Sequence, residues 1–303
     1  GGFFAMFPPP VNTGLASGFD LDNDGRAVSE IPVVPPSNPD GTPGPQTDAG
    51  RAYGNDAWGF GMFPGQYGMA LLVRNGLEIL HDSVRTFRLF KWSSMPGALE
   101  PVDPSTGKPW YSAEEWASFR LSSKSHWDVP VRLPSGEVLH MLASHPTPPA
   151  FDGPERRNQY RNADEIRFWG DYLSGADYIV SDSGQVGGLQ PDAHFVLLGD
   201  MNADPDEGNT YENPIGKWLL NHPRVNGSFV PLPDSSAIAR PELSDDDTAE
   251  WGMRVDYVLP SVSLEVLGGG IRRPTAADTA FVQVSDHFPV WLDVVVPARD
   301  TNQ

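Results

Sequence analysis

The chain contains no cysteine. That absence excludes disulfides and thiolate metal sites. Any metal must be held by Asp, Glu, Asn or His, a donor set that favours Mg²⁺, Mn²⁺ or Ca²⁺. Positive charge is also scarce: 21 Lys and Arg stand against 40 Asp and Glu, a formal net charge of −19. A protein that held DNA mainly by neutralising phosphates would be basic. This one repels polyanions unless a local patch or a metal intervenes, although acidic surfaces also occur in proteins adapted to salt. No hydrophobic run is long enough to span a membrane. No signal peptide is visible, but the chain begins at Gly1 rather than Met, so targeting cannot be read from it.

What is present supports a folded domain. Of 303 residues, 39% are hydrophobic and 11% aromatic, enough for a sizeable core. Pro and Gly, 31 of each, imply many loops. The chain reads as a single domain, with 1–66 a loop-rich insertion and 67–297 the core. Residues 1–66 show almost no periodicity, and 31–50 has the Pro, Gly, Asp and Ser content of an exposed loop. Within them, Asp20, Asp22 and Asp24 alternate and Gly25 follows, which matches the first half of a calcium loop. No helix pattern flanks it, so a plain acidic turn is the competing reading.

Further along, 68–74 reads as a buried strand and 82–87 as a second one. Ser112 with Glu115 forms a capping box for a short helix, and 127–133 and 137–144 read as strands joined at Ser135-Gly136. Asn162 with Glu165 predicts the cap of a helix ending near Leu173, with Ile166, Trp169, Gly170 and Leu173 inward. Residues 213–221 read as another helix, and 254–259, 264–267 and 288–296 as strands. Strands outnumber helices and hairpins mix with helical crossovers, which suggests an α+β sandwich rather than a doubly wound sheet.

Chemistry concentrates at strand ends. In F-V-L-L-G-D-M-N-A-D, Phe195–Asp204, an apolar run breaks at Gly199 and releases Asp200 and Asn202. Two apart in an extended segment, they would share a face at the mouth of a strand; a strand followed by an ordinary Asp/Asn turn is the alternative. His145 follows a strand in S-H-P-T-P-P. Asp256 sits inside the apolar R-V-D-Y-V-L, where a carboxylate needs a partner such as a protonated His. Asp286 and His287 precede the last apolar strand and offer a metal ligand and a base on adjacent residues. Lys124 and His126, in S-K-S-H-W, are either phosphate contacts or part of a solvated edge strand.

Together these segments resemble the endonuclease/exonuclease/phosphatase superfamily. The motifs, in family order, are S-H-P-T-P-P, G-D-M-N-A-D-P, R-V-D-Y-V-L and S-D-H-F-P-V, and the resemblance runs from about Gly68 to Val296. It implies a two-sheet β-sandwich flanked by helices, four layers in the order α/β/β/α as in pancreatic deoxyribonuclease. It implies a metal-dependent phosphoesterase of phosphodiesters or phosphomonoesters, with nucleic acid, a lipid head group or a small phosphoester as substrate; no protein partner is predicted. His287 would be the general base on the attacking water and Asp256 its orienting partner. Asp286 would bind Mg²⁺ or Mn²⁺, Asp200 and Asn202 would position water, phosphate or a second metal, and His145 would donate to phosphoryl oxygens. The segments around the acidic loop and P-G-Q-Y-G-M look like an exported bacterial subgroup, which implies a secreted or periplasmic protein.

One departure stands out. Family members open with a strand carrying an Asn, a helix, and a strand ending in a metal-binding Glu, and residues 1–66 show no such pattern. Only Glu30 is nearby. The expectation is an N-terminally incomplete fold, weakly active or inactive alone. The alternative is a non-catalytic calcium-binding module on a degenerate phosphoesterase scaffold.

Overall fold

The computed structural model describes residues 3–32, 46–276 and 285–298. Its strands in chain order are β1 Phe3–Phe7, β2 Leu71–Arg74, β3 Glu78–Ile79, β4 Arg85–Thr86, β5 Val102–Asp103 and β6 Lys108–Pro109. There follow β7 His126–Arg132, β8 Val138–Ser144, β9 His194–Asp200, β10 Asp256–Pro260, β11 Glu265–Ile271 and β12 Val290–Val295. The α-helices are α1 Asp48–Asn55, α2 Ala113–Ser118 and α3 Arg157–Leu173.

The central sheet runs β10-β9-β8-β7-β3, with β4 also paired to β7. β8 and β9 are parallel, joined by a crossover through α3, and the other pairs are antiparallel. Alternation along β7, β8 and β9 sorts side chains between two faces. Leu142, Phe195 and Leu197 face a large core with Ile166, Phe168, Trp169 and Tyr172 of α3. Trp127, Val129, Val131 and Ala143 face a smaller core closed by the β1–β2 ribbon through Val73, Phe7 and Leu71. The fold is an α+β sandwich. Among the described residues its second β layer consists of short ribbons, β1–β2 and β11–β12, rather than one continuous sheet.

Several expectations need correction. Residues 1–66 hold a strand and a helix, β1 and α1, that no periodicity announced. Thr47 caps α1 through its side chain, accepting from the Gly50 amide. The 31–50 loop lies largely outside the described residues. The strand read over 68–74 shortens to β2 at an edge, where only Val73 is buried. The segment 82–87 divides into a tight turn at His81–Ser83 and the two-residue β4. Around Gly216–Leu220 the chain makes one wide helical turn, with the Asn221 amide bonded to the Gly216 carbonyl. The capping box at Ser112 and Glu115 is present in both directions.

The Asn162–Glu165 pair is not a cap. Helix α3 starts five residues earlier, after Arg156, and both side chains are buried in its body. A cap motif read locally cannot reveal that its polar groups have partners elsewhere. Here Asn162 donates to the Thr147 and Met201 carbonyls, at 2.8 and 3.0 Å. Glu165 accepts from the Ser123 and Thr147 amides at 2.6 and 2.7 Å. Helix α3 thereby ties down three loops at one end of the central sheet.

Candidate active site

Those loops carry the site. Because β8 and β9 are parallel, Ser144 and Asp200 end at the same edge of the sheet, and the antiparallel β10 begins there with Asp256 directly opposite Asp200. Gly199 makes the close approach possible: its φ is 142°, and a Cβ there would lie 1.9 Å from the Ser144 carbonyl oxygen. His145 follows β8 immediately, and its Nε2 stands 3.3 Å from Asp200 Oδ2.

His287 arrives on a separate segment. Ala249 bridges to it, the Phe288 amide donates to the Thr248 carbonyl, and the Glu250 amide donates to the Asp286 carbonyl. Thr248 also accepts from the Val255 and Asp256 amides through Oγ1, both at 2.9 Å. One short segment thus staples His287 to the start of β10. The result is a 2.8 Å contact between His287 Nδ1 and Asp256 Oδ2, with His287 Nε2 3.8 Å from Asp200 Oδ2. Asp200, Asp256 and His287 each place one ligand atom within 4.8 Å of the others.

The electrostatics follow from burial and proximity. Burial, reinforced by the facing Asp256, pushes the Asp200 carboxyl up to about 6. The hydrogen bond to Asp256 raises His287 to about 9, with Asp256, Asp200 and Asp286 adding to it against burial. Burial holds His145 well below the usual imidazole range, and the Lys124 and His287 cations push the same way. His145 is therefore neutral, and its approach to Asp200 is that of a neutral ring rather than an ion pair. Two carboxylates of which one is driven toward protonation form a hard-oxygen pocket that a divalent cation fits.

The other sequence-predicted residues fall around this cluster. Asn202 is not beside Asp200 on an extended strand. The strand ends at Asp200, whose Oδ1 accepts from the Asn202 amide, and Asn202 turns into the left-handed region at φ 50°. Its side chain donates to the Pro146 carbonyl at 3.1 Å, linking the two parallel-strand loops. Asp286 is exposed and stays outside the three-residue cluster. Glu30 is exposed and belongs to no such cluster.

Lys124 and His126 are both buried, so neither lies on a solvated edge. His126 contacts Ser122 Oγ at 2.6 Å and the Glu165 carbonyl at 2.8 Å with its two ring nitrogens. That leaves no nitrogen for a phosphate, and the phosphate role expected for it is withdrawn. Lys124 lies under the site. Its Nζ donates to the Pro146 carbonyl at 3.3 Å, and burial lowers it to about 8 against the pull of Glu165 and Asp200.

In the acidic loop, the third member differs from the sequence reading. Asp20 and Asp22 converge with the buried Asp56, all within 4.8 Å, whereas Asp24 turns to Arg26 at 3.6 Å. Asp56 is already engaged with the Leu21 and Val28 amides, and Asp20 with the Asp24 and Gly25 amides. The residues that sequence reasoning missed are Asp56, Asn162 and Glu165. Their roles rest on contacts made only through the fold.

The fold is an α+β sandwich that brings an Asp–His pair and a second carboxylate to one sheet edge. The chain belongs to the endonuclease/exonuclease/phosphatase family, whose family model matches residues 21–287. No curated protein matches it. Among solved structures it is similar to an endonuclease/exonuclease/phosphatase from Beutenbergia cavernae, at 17% identity and TM-score 0.42, covering 76% of this chain and 47% of that one. It is also similar to the human nocturnin catalytic domain with bound sulfate, at 16% identity and TM-score 0.41, covering 78% of this chain and 66% of that one. A third is the mannosyl-6-phosphatase of Bacteroides thetaiotaomicron, at 14% identity and TM-score 0.34, covering 75% and 71%. The chain thus spans under half the length of the first of these.

Proposed function

We propose that this chain carries the catalytic site of a divalent-metal-dependent phosphoesterase that hydrolyses phosphodiester or phosphomonoester bonds by water attack. The observation that carries the reading is the convergence of Asp200, Asp256 and His287 within 4.8 Å, with His145 3.3 Å from Asp200.

Asp256 Oδ2 accepts from His287 Nδ1–H, which fixes the tautomer and leaves Nε2 as the nitrogen that takes the water proton. Asp200 stands 3.8 Å beyond that nitrogen and orients the water. Asp200 and Asp256 would hold a divalent cation, with Mg²⁺ or Mn²⁺ suiting the oxygen donors, and it would supply charge neutralisation for the phosphoryl oxygens. With their charge taken up by such an ion, Asp200 and Asp256 would no longer hold His287 protonated, which frees Nε2 to accept. His145, neutral, donates to a phosphoryl oxygen, and Lys124 adds a fixed positive charge beneath it. Asn202 holds the His145 loop against the Asp200 loop. Asp286 is an outer carboxylate at the rim.

A non-catalytic calcium-holding module would have no use for a histidine oriented by a buried-edge carboxylate, so the catalytic reading is preferred. The test is hydrolysis of bis-p-nitrophenyl phosphate and p-nitrophenyl phosphate by EDTA-treated protein, before and after adding Mg²⁺ or Mn²⁺. Turnover that appears only with metal is the expected result. Turnover that persists in EDTA, or none with either metal, would count against the reading.

A further inference from the structure

Between the start of α3 and the loop 208–212 lies a shallow, open depression of about 490 Å³. Its walls are Arg156 and Gln159 at the start of α3, and the loop 208–212 with Asn209, Thr210, Tyr211 and Glu212. No aliphatic side chain lines it, so it is built for a polar ligand.

Arg156 is the unusual member. The chain carries few cations, and the neighbouring arginines on α3 are all engaged: Arg157 with the Leu21 carbonyl, Arg161 with three backbone carbonyls, Arg167 with Asp171. Arg156 is exposed; its backbone bonds to Gly153 and Tyr160, and its guanidinium, which acts on Tyr211 only through its charge, carries no side-chain hydrogen bond or ion pair among the described residues. Glu212, the one acid in the wall, is already committed to Lys217 at 3.1 Å and to the Tyr211 hydroxyl. Tyr211 is set edge-on against Tyr160, with ring centroids 4.8 Å apart.

The backbone here is held at a cost. Arg156, Glu212 and Asn213 have φ of 57°, 54° and 46°, left-handed values that non-glycine residues adopt at about 1 kcal/mol or more each. Strain clustered around one cavity marks a shape that the surrounding structure enforces. The depression is close to the site along the chain: its loop begins eight residues after Asp200, and Asp204 between them accepts from the Arg254 amide at 2.7 Å. Its other wall follows the His145 loop into α3.

We infer that this cavity is an anion subsite, in which the Arg156 guanidinium receives a second phosphate or carboxylate on the non-reacting part of the substrate. The inference rests on the phosphoesterase reading for its link to catalysis, but anion binding can be tested without turnover. In a protein of net charge −19, a local cation at this position favours a dianionic small molecule.

Calorimetry in EDTA with inorganic phosphate tests the subsite directly. Wild type should bind phosphate, Arg156→Gln at least tenfold more weakly and Arg156→Lys in between. Absence of phosphate binding by wild type, or equal affinity in Arg156→Gln, would overturn it. A loss in His287→Ala as large as in Arg156→Gln would assign the phosphate to the catalytic cluster and also overturn it. With metal present, the ratio of kcat/KM for fructose 1,6-bisphosphate to that for p-nitrophenyl phosphate should fall about tenfold in Arg156→Gln. An unchanged ratio with both substrates turned over would sink the subsite and leave the phosphoesterase reading intact. Failure to hydrolyse either would sink that reading, and calorimetry would still decide the subsite.

Discussion

His126 shows how little a residue type says without its surroundings. Next to a candidate phosphate contact in sequence, it is a core residue whose two ring nitrogens are both spoken for. Burial holds its pKa near 4. The sign is that of a group whose folded pKa is depressed: its contribution is complete above the unfolded value of about 6.5 and is lost as pH falls toward 4. The gap corresponds to at most about 3 kcal/mol. Urea unfolding of wild type should therefore weaken between pH 6.5 and 4, and His126→Asn should flatten that slope. A slope identical in the two proteins would show that His126 is not responsible. Lys124, two residues earlier, is also buried, and burial lowers it to about 8 against the pull of Glu165 and Asp200.

At the scale of elements, helix α3 does more than cover the sheet. Asn162 and Glu165 hold the loops that carry Lys124, His145 and Met201, so the geometry of the site depends on one turn of one helix. Glu165→Gln keeps the size but sets an amide against a backbone amide at one of the two contacts. It should cost about 2–3 kcal/mol by urea unfolding and lower kcat on chromogenic phosphoesters. Unchanged stability would refute the clamp. This same pair marks where sequence reading fails. The local spacing of Asn162 and Glu165 resembles a cap, and nothing nearby in sequence announces their partners in distant loops. The Ser112–Glu115 box is legible because both partners lie within four residues. The polar strand ends at His145, Asp200, Asp256 and His287 are legible for another reason: a charged group beside an apolar run needs an explanation. Asp56 is silent because it joins Asp20 and Asp22 only through the fold.

The whole molecule is acidic, and that bears on substrate class. Phosphate neutralisation by a basic surface gives affinity that falls steeply with salt. With 21 cations against 40 acids, this chain as a whole repels a duplex. Affinity for small phosphoesters should change less than about threefold between 50 and 200 mM salt, where a protein making several phosphate contacts loses orders of magnitude. Tight, steeply salt-dependent binding of duplex DNA would reverse the assignment toward a nuclease. No helix among the described residues is long and apolar enough to cross a membrane.

The central claim is that His287, oriented by Asp256, activates water at a phosphoester. The most direct measurement is kcat/KM for bis-p-nitrophenyl phosphate with Mg²⁺ or Mn²⁺, in wild type and His287→Ala side by side, with unfolding curves to show that both are folded. Loss of about 10²–10⁴-fold in the variant is expected for a general base. Full activity in folded His287→Ala would contradict the account.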